Sequence, residues 1–221
     1  MPVLGSGNDD CRAVDPQAPP GEGRNQLSLE LILASASPRR KELLEQLGIS
    51  FCQRPVEVDE TPHNQEVASD YVMRMGREKA EAAWRIWSGA GLAVLASDTT
   101  VVADGRILGK PLDFHDFRSM MRLLSGREHQ VLTSVVAKSE EKMQFALSET
   151  RVHFCQLDED DIEWYWKSGE PQDKAGGYGI QGLGARFVKK IDGSYSGVVG
   201  LPLFETAEIL LNFGILSNSR A

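Results

Sequence analysis

Two arginines stand at the start of a predicted helix, directly after a short apolar run: Leu31, Ile32, Leu33 and Ala34 lead into Ser35-Ala36-Ser37-Pro38-Arg39-Arg40. Ser37 suits the N-cap, because its hydroxyl can accept a bond from an orphan N–H, and Pro38 suits the first helical position, where no donor is needed. The remaining N–H groups and the positive end of the dipole then face the strand end, with two guanidinium forks beside them. That combination is shaped for phosphate oxygens. Glu60, in Val58-Asp59-Glu60-Thr61-Pro62, and Asp98, in Ser97-Asp98-Thr99, supply hard carboxylate oxygens. Mg²⁺ needs only one or two of these when substrate phosphates and water complete its shell. Asp98 is expected where a buried strand meets a loop, the place at which open α/β sheets face their ligand crevice. Lys110, in Gly109-Lys110-Pro111, and Lys174, in the glycine-rich stretch 173–182, add cations on backbone that can approach a ligand closely. Scattered carboxylates and cations suit metal-assisted attack of water on phosphorus.

Other chemistries are poorly served. His63, His115, His129 and His153 are isolated, with neither metal-ligand spacing nor a G-x-S-x-G elbow near them. Cys11, Cys52 and Cys155 form no C-x-x-C pair, which argues against a disulfide framework or a structural zinc and for a reducing compartment. The glycine-rich stretch lacks P-loop spacing, and no G-x-G-x-x-G follows a strand. A net charge of −8 and a pI near 5.1, with no basic stripe, disfavour a nucleic-acid partner. No apolar stretch is long enough to span a bilayer and no secretory leader is evident, so a soluble cytoplasmic protein is expected.

The positioning elements follow from periodicity. Residues 1–27, rich in Gly, Pro, Asn and Asp, read as a disordered tail; an organellar transit segment would be richer in Arg and Ser and poorer in acids. From residue 28 to 221 one α/β domain is predicted. It begins with a strand over 29–34, a helix over 38–47 stopped at Gly48, a second strand over 51–57 and a long surface helix over 67–87. Leu92-Ala93-Val94-Leu95-Ala96 reads as a strand buried on both faces. Asp104-Gly105 marks a hairpin between 100–103 and 106–108. Asp113 caps a helix to Leu124 whose apolar stripe is core, 128–137 and 142–154 pair as a second hairpin, and Asp158 opens an acidic-ended helix. A strand near 186–191 and a helix near 203–213 close the chain.

Taken in order, Ser35 to Arg40, Val58 to Pro62, Arg77-Glu78-Lys79-Ala80, Ser97-Asp98-Thr99, Gly109-Lys110-Pro111, Leu124-Ser125-Gly126, the stretch 173–182 and the stretch 193–203 resemble the Maf family of nucleotide pyrophosphatases, the septum formation inhibitor-like proteins. The resemblance implies a mixed, elongated β-sheet with flanking helices and a deep cleft between two lobes, similar to inosine triphosphate pyrophosphatases, often as a homodimer. The implied reaction is hydrolysis of a nucleoside triphosphate to monophosphate and pyrophosphate with Mg²⁺ or Mn²⁺, clearing unwanted nucleotides. Matched position by position, Asp98 is the catalytic acid and, with Glu60, a metal ligand, while Ser35, Arg40, Lys79 and Lys110 surround the phosphates, with Lys110 counted in the catalytic set. The developing negative charge needs such fixed cations.

Arg39, Thr99 and Gln181 match the branch of the family that acts on dTTP and UTP, with modified pyrimidine analogues as further expected substrates. The Gln181 amide offers both a donor and an acceptor to the imide edge of uracil or thymine. The alternatives are 7-methyl-GTP or another modified nucleotide as substrate, and a cell-division regulator that binds nucleotide without turnover. The chain departs from the family pattern in its extended tail and in Thr100, which replaces a more usual aliphatic residue.

Overall fold

The computed structural model describes residues 30–89 and 91–217; the tail expected over 1–27 lies outside them. Strand β1 (Glu30–Leu33) carries the buried Leu31, Ile32 and Leu33 and pairs in parallel with β2 (Phe51–Gln53) and β3 (Leu92–Ala103). The crossovers are α1 (Pro38–Glu45) and α2 (Ala68–Trp87). Strand β2 is shorter than the predicted 51–57. Pro55 has no N–H to donate and restricts the residue before it, so the last bond to β1 runs from Arg54 N to Leu33 O at 2.9 Å. Helix α1 stops at Glu45, and the chain turns at Gly48, whose φ of 67° is left-handed.

Strand β3 overturns one expectation. A strand ending at Ala96 puts Asp98 at a loop, yet β3 runs unbroken through Asp98 to Ala103. The cause is β5 (Glu128–Lys138), which pairs antiparallel with β3 from Val94 opposite Lys138 to Val102 opposite Gln130. Ser97, Asp98, Thr99 and Thr100 therefore keep their place in the ladder despite their polarity. Side-chain alternation sends Asp98 toward α2 and Thr99 to the opposite face.

The remaining elements lie close to their predicted places. Strand β4 (Arg106–Leu108) folds back on β3 through Asp104 and Gly105, both at positive φ (48° and 71°), as a type I′ turn requires. Helix α3 (Phe114–Leu124) is capped by Asp113, which accepts from Asp116 N at 2.9 Å, and its stripe of Phe117, Met120, Met121 and Leu124 is buried core. Strand β6 (Met143–Phe154) completes a long hairpin with β5, and α4 (Glu159–Lys167) starts in a capping box made by Asp158 and Asp161. Short 3₁₀ turns lead to β7 (Val188–Asp192), one or two residues later than the 186–191 expected. Helix α5 (Tyr195–Val199), which periodicity does not reveal at five residues, precedes α6 (Leu203–Asn212).

The seven-stranded mixed sheet has the order β2-β1-β3-β5-β6-β7, with β4 added to β3. On one face Leu31, Leu33, Ala93 and Leu95 pack against Leu44 of α1 and Leu210 of α6; on the other Ile32, Val94 and Ala96 meet Ala80 and Ala83 of α2. A separate core around Phe117, Met121, Phe154, Tyr165 and Phe187 forms the far lobe. Strand β1 leaves β3 at Leu95 and β4 joins it at Val101, so among the described residues no strand pairs with that edge of β3 in between. A cleft opens in this gap.

Gly76 lets α2 lie close on β5. A Cβ there would collide with Ser134 Oγ, which is held by its bond to Val72 O at 2.7 Å, and would sit 3.1 Å from Val136 Cγ2. Ala is favoured over Gly in a helix by about 1 kcal/mol, but overpacking costs about 1–3 kcal/mol. Gly76→Ala should therefore lower the urea midpoint; a raised midpoint would show that the α2–β5 contact yields freely.

Candidate active site

The cleft is a cavity of about 760 Å³, lined by residues from both lobes. Its first wall is the turn into α1. Ser37 caps the helix, accepting from Arg40 N at 3.4 Å, and its own N–H bonds Ser35 Oγ at 3.2 Å. The Arg40 side chain is held at three points: Nε donates to Gly200 O (2.8 Å), Nη1 to the buried Ser35 Oγ (3.4 Å) and Nη2 to Thr99 Oγ1 (3.2 Å). Burial lowers the Arg40 pKa, and the negative charges of Asp98 and Glu60 oppose that shift. Loss of the proton remains out of reach for an arginine at neutral pH.

The floor of the cleft holds the ion cluster. Lys79, buried on α2, places its Nζ 2.5 Å from Asp98 Oδ1 on β3 and 2.6 Å from Glu60 Oε1. One ammonium thus draws together two carboxylates that are thirty-eight positions apart in sequence. Burial would raise the Glu60 pKa; the hydrogen bond and charge of Lys79, assisted by Lys110 and Arg40, outweigh it and hold the carboxyl below its usual range.

Helix α2 also fixes the loop that carries Glu60. Tyr71 Oη donates to Glu60 O (2.9 Å), and Arg74 donates to Thr61 O (3.2 Å) while forming a two-pronged pair with Glu66 at 2.7 Å for each bond. The bonds from Arg74 draw the Glu66 pKa down to about 2. Burial, with the charges of Asp98 and Glu60, pushes Tyr71 up to about 12, so it remains a donor. No local sequence pattern marks the roles of Tyr71 and Arg74, although Tyr71 lies eight residues before Lys79, on the same helical face.

The second wall comes from the far lobe. Gly176 N bonds Gly109 O at 2.9 Å, which ties the Lys110 segment to the glycine-rich stretch. Gly176 has a φ of 68° and a Cβ there would fall 2.8 Å from Val101, so this glycine serves close packing against β3. Glu170 organises the next turn, its carboxylate accepting from Tyr165 Oη (2.7 Å), Leu183 N (2.8 Å) and Gly184 N (3.1 Å), and this turn presents Gln181 to the cavity. Lys174 Nζ bonds Asp173 Oδ1 (2.6 Å) and Glu170 O (2.7 Å), and Arg39 Nη1 bonds Asp173 Oδ2 (3.0 Å). No sequence motif gives Asp173 a role of its own.

The structure brings all the expected site residues to this one cavity: Ser35, Arg39 and Arg40 from the first wall, Glu60, Lys79, Asp98 and Thr99 from the floor, and Lys110, Lys174 and Gln181 from the second wall. Among the described residues none of the four histidines lines it. His129 is instead a core residue, its Nε2 2.8 Å from Tyr178 Oη and its pKa lowered by burial to about 4.

The donors fit a divalent cation. Glu60 and Asp98 offer hard oxygens that already converge on a single positive atom, Lys79 Nζ. Among the described residues no group of three or more His, Cys, Asp or Glu could hold a metal, so the carboxylates would share their ion with oxygens of the ligand, as Mg²⁺ commonly does. No helix among the described residues is long and apolar enough to cross a membrane.

The chain is 53% identical over 186 residues to a protein named dTTP/UTP pyrophosphatase from Pseudoalteromonas translucida, covering 82% of this chain and 95% of that one. A protein of the same name from Vibrio vulnificus is 50% identical over 184 residues, covering 83% and 98%. Among solved structures, the Staphylococcus aureus Ham1 protein matches with a TM-score of 0.45 and 14% identity over 72% of this chain and 79% of its own. The family model described as Maf-like protein matches residues 30–213, and the chain belongs to that family.

Proposed function

We propose that this chain is a nucleoside triphosphate pyrophosphatase that hydrolyses dTTP and UTP to the monophosphate and pyrophosphate. The observation that carries the reading is the cluster of Glu60, Lys79 and Asp98 on the floor of a cleft whose walls supply Arg40, Lys110 and Lys174. The names of relatives about half identical over most of the chain support it and give the substrate class.

Glu60 and Asp98 would hold Mg²⁺ or Mn²⁺, which supplies positive charge to the phosphoryl oxygens. Arg40 and Lys110 bind the triphosphate and offset the negative charge that develops as water attacks the α-phosphorus and pyrophosphate leaves. Asp98 accepts the proton of that water, and Lys79, bonded to Oδ1, holds the carboxylate in place. Ser35 and Thr99 orient the Arg40 guanidinium, so the cation is in place before substrate arrives. Gln181, with Thr99, selects the pyrimidine base, and modified pyrimidine triphosphates fall within the same selectivity. A cytoplasmic homodimer completes the reading.

The test is purified protein with Mg²⁺ or Mn²⁺, offered ordinary and methylated nucleoside triphosphates, with pyrophosphate distinguished from orthophosphate. Turnover of dTTP and UTP to pyrophosphate is expected. Preference for 7-methyl-GTP, or binding without turnover, would contradict the reading. Asp98→Asn should reduce kcat by about a hundredfold or more while the circular dichroism spectrum stays native; full activity would remove Asp98 from catalysis. Gln181→Glu replaces a donor with a second acceptor and should lower kcat/KM for dTTP and UTP by about tenfold. Unchanged kinetics would place base selection elsewhere.

A further inference from the structure

An ion triad spans the mouth of the cleft, and the chemistry at Asp98 does not require it. Asp173 accepts from Arg39 through Oδ2 and from Lys174 through Oδ1, at 3.0 and 2.6 Å. Arg39 is carried by α1 in the first lobe, whereas Asp173 and Lys174 stand on the turn that follows α4 in the second. One carboxylate therefore joins cations from opposite walls of the cavity. The side chain of Asp173 is 63% exposed, against 23% for Arg39 and 12% for Lys174: the anion faces solvent and the cations are recessed. The Lys174 stem reaches this position across Gly179, where a Cβ would fall 2.8 Å from Lys174 Cε.

An ion pair whose anion is so exposed has little net strength, and another anion readily exchanges for it. A phosphate chain is the better partner for both cations, because it offers more charge and more acceptor oxygens than one carboxylate. Building on the triphosphate reading above, we propose that Asp173 is a built-in competitor for the polyphosphate subsite. It positions Arg39 and Lys174 across the cleft before substrate binds, is displaced by the phosphate chain of the substrate, and returns to them as pyrophosphate leaves. The residue governs how tightly pyrophosphate is retained and, through that, product release.

The proposal fixes the sign of an effect that a simple brace would reverse. If Asp173 only steadied the two cations, removing its charge would weaken anion binding; as a competitor, its removal strengthens binding. Inorganic pyrophosphate without added divalent cation, titrated calorimetrically, should bind Asp173→Asn and Asp173→Ser about fivefold more tightly than the natural chain, and higher salt should narrow that difference. Asp173→Glu should restore the weaker affinity. In turnover of dTTP, both neutral variants should show stronger product inhibition by pyrophosphate and a lower kcat. Unchanged or weaker pyrophosphate binding in both neutral variants would overturn the proposal. Turnover of dTTP by the natural chain in the same preparations reports separately on the function itself.

Discussion

The ammonium of Lys79, held between Glu60 and Asp98, is the contact on which the site depends. Two carboxylates on a partly buried floor repel each other, which raises one pKa or pushes them apart unless a cation lies between them. Lys79 is buried on α2, so its methylene stem runs within the protein and delivers the charge to the floor of the cleft. Breaking such a pair from one side leaves an uncompensated charge, which is far more costly than the pair is stabilising. The helix also fixes the Glu60 loop through Tyr71 and Arg74. Loop, helix and strand are thereby held in one arrangement.

The cleft itself is a consequence of sheet topology. A parallel neighbour, β1, and an antiparallel neighbour, β4, occupy the same edge of β3 at its two ends and leave the middle unpaired. The long ladder with β5 carries β3 unbroken across the gap. Side chains on both faces of one strand can then reach a single cavity: Asp98 toward α2, and Thr99 toward Arg40. A strand covered on both edges could present only one of these to a ligand. The walls are tied independently, Arg40 to Gly200 on one side and Gly176 to Gly109 on the other.

Much of this was legible in the sequence, and the exceptions have physical reasons. Ser37, Asp113 and Asp158 marked helix starts because each side chain satisfies an orphan N–H, and the structure contains all three caps. The Asp104-Gly105 turn was equally plain, since it requires left-handed backbone. The polarity of Ser97, Asp98 and Thr99 points to the end of β3, whereas the ladder with β5 carries these polar residues through the interior. Local motifs and a family resemblance mark the site residues. Their convergence depends on pairings between distant segments, which no local pattern records. Tyr71, Arg74, Glu170 and Asp173 act on neighbours that only the fold supplies.

A double-mutant cycle in urea unfolding, using Lys79→Met, Asp98→Asn and the two combined, measures the central contact most directly. The account predicts that Lys79→Met is strongly destabilising, that Asp98→Asn in its background recovers part of the loss, and that the coupling is about 2 kcal/mol. Destabilisations that add to within about 0.5 kcal/mol would contradict it, because Lys79 and Asp98 would then be neighbours without a shared energy.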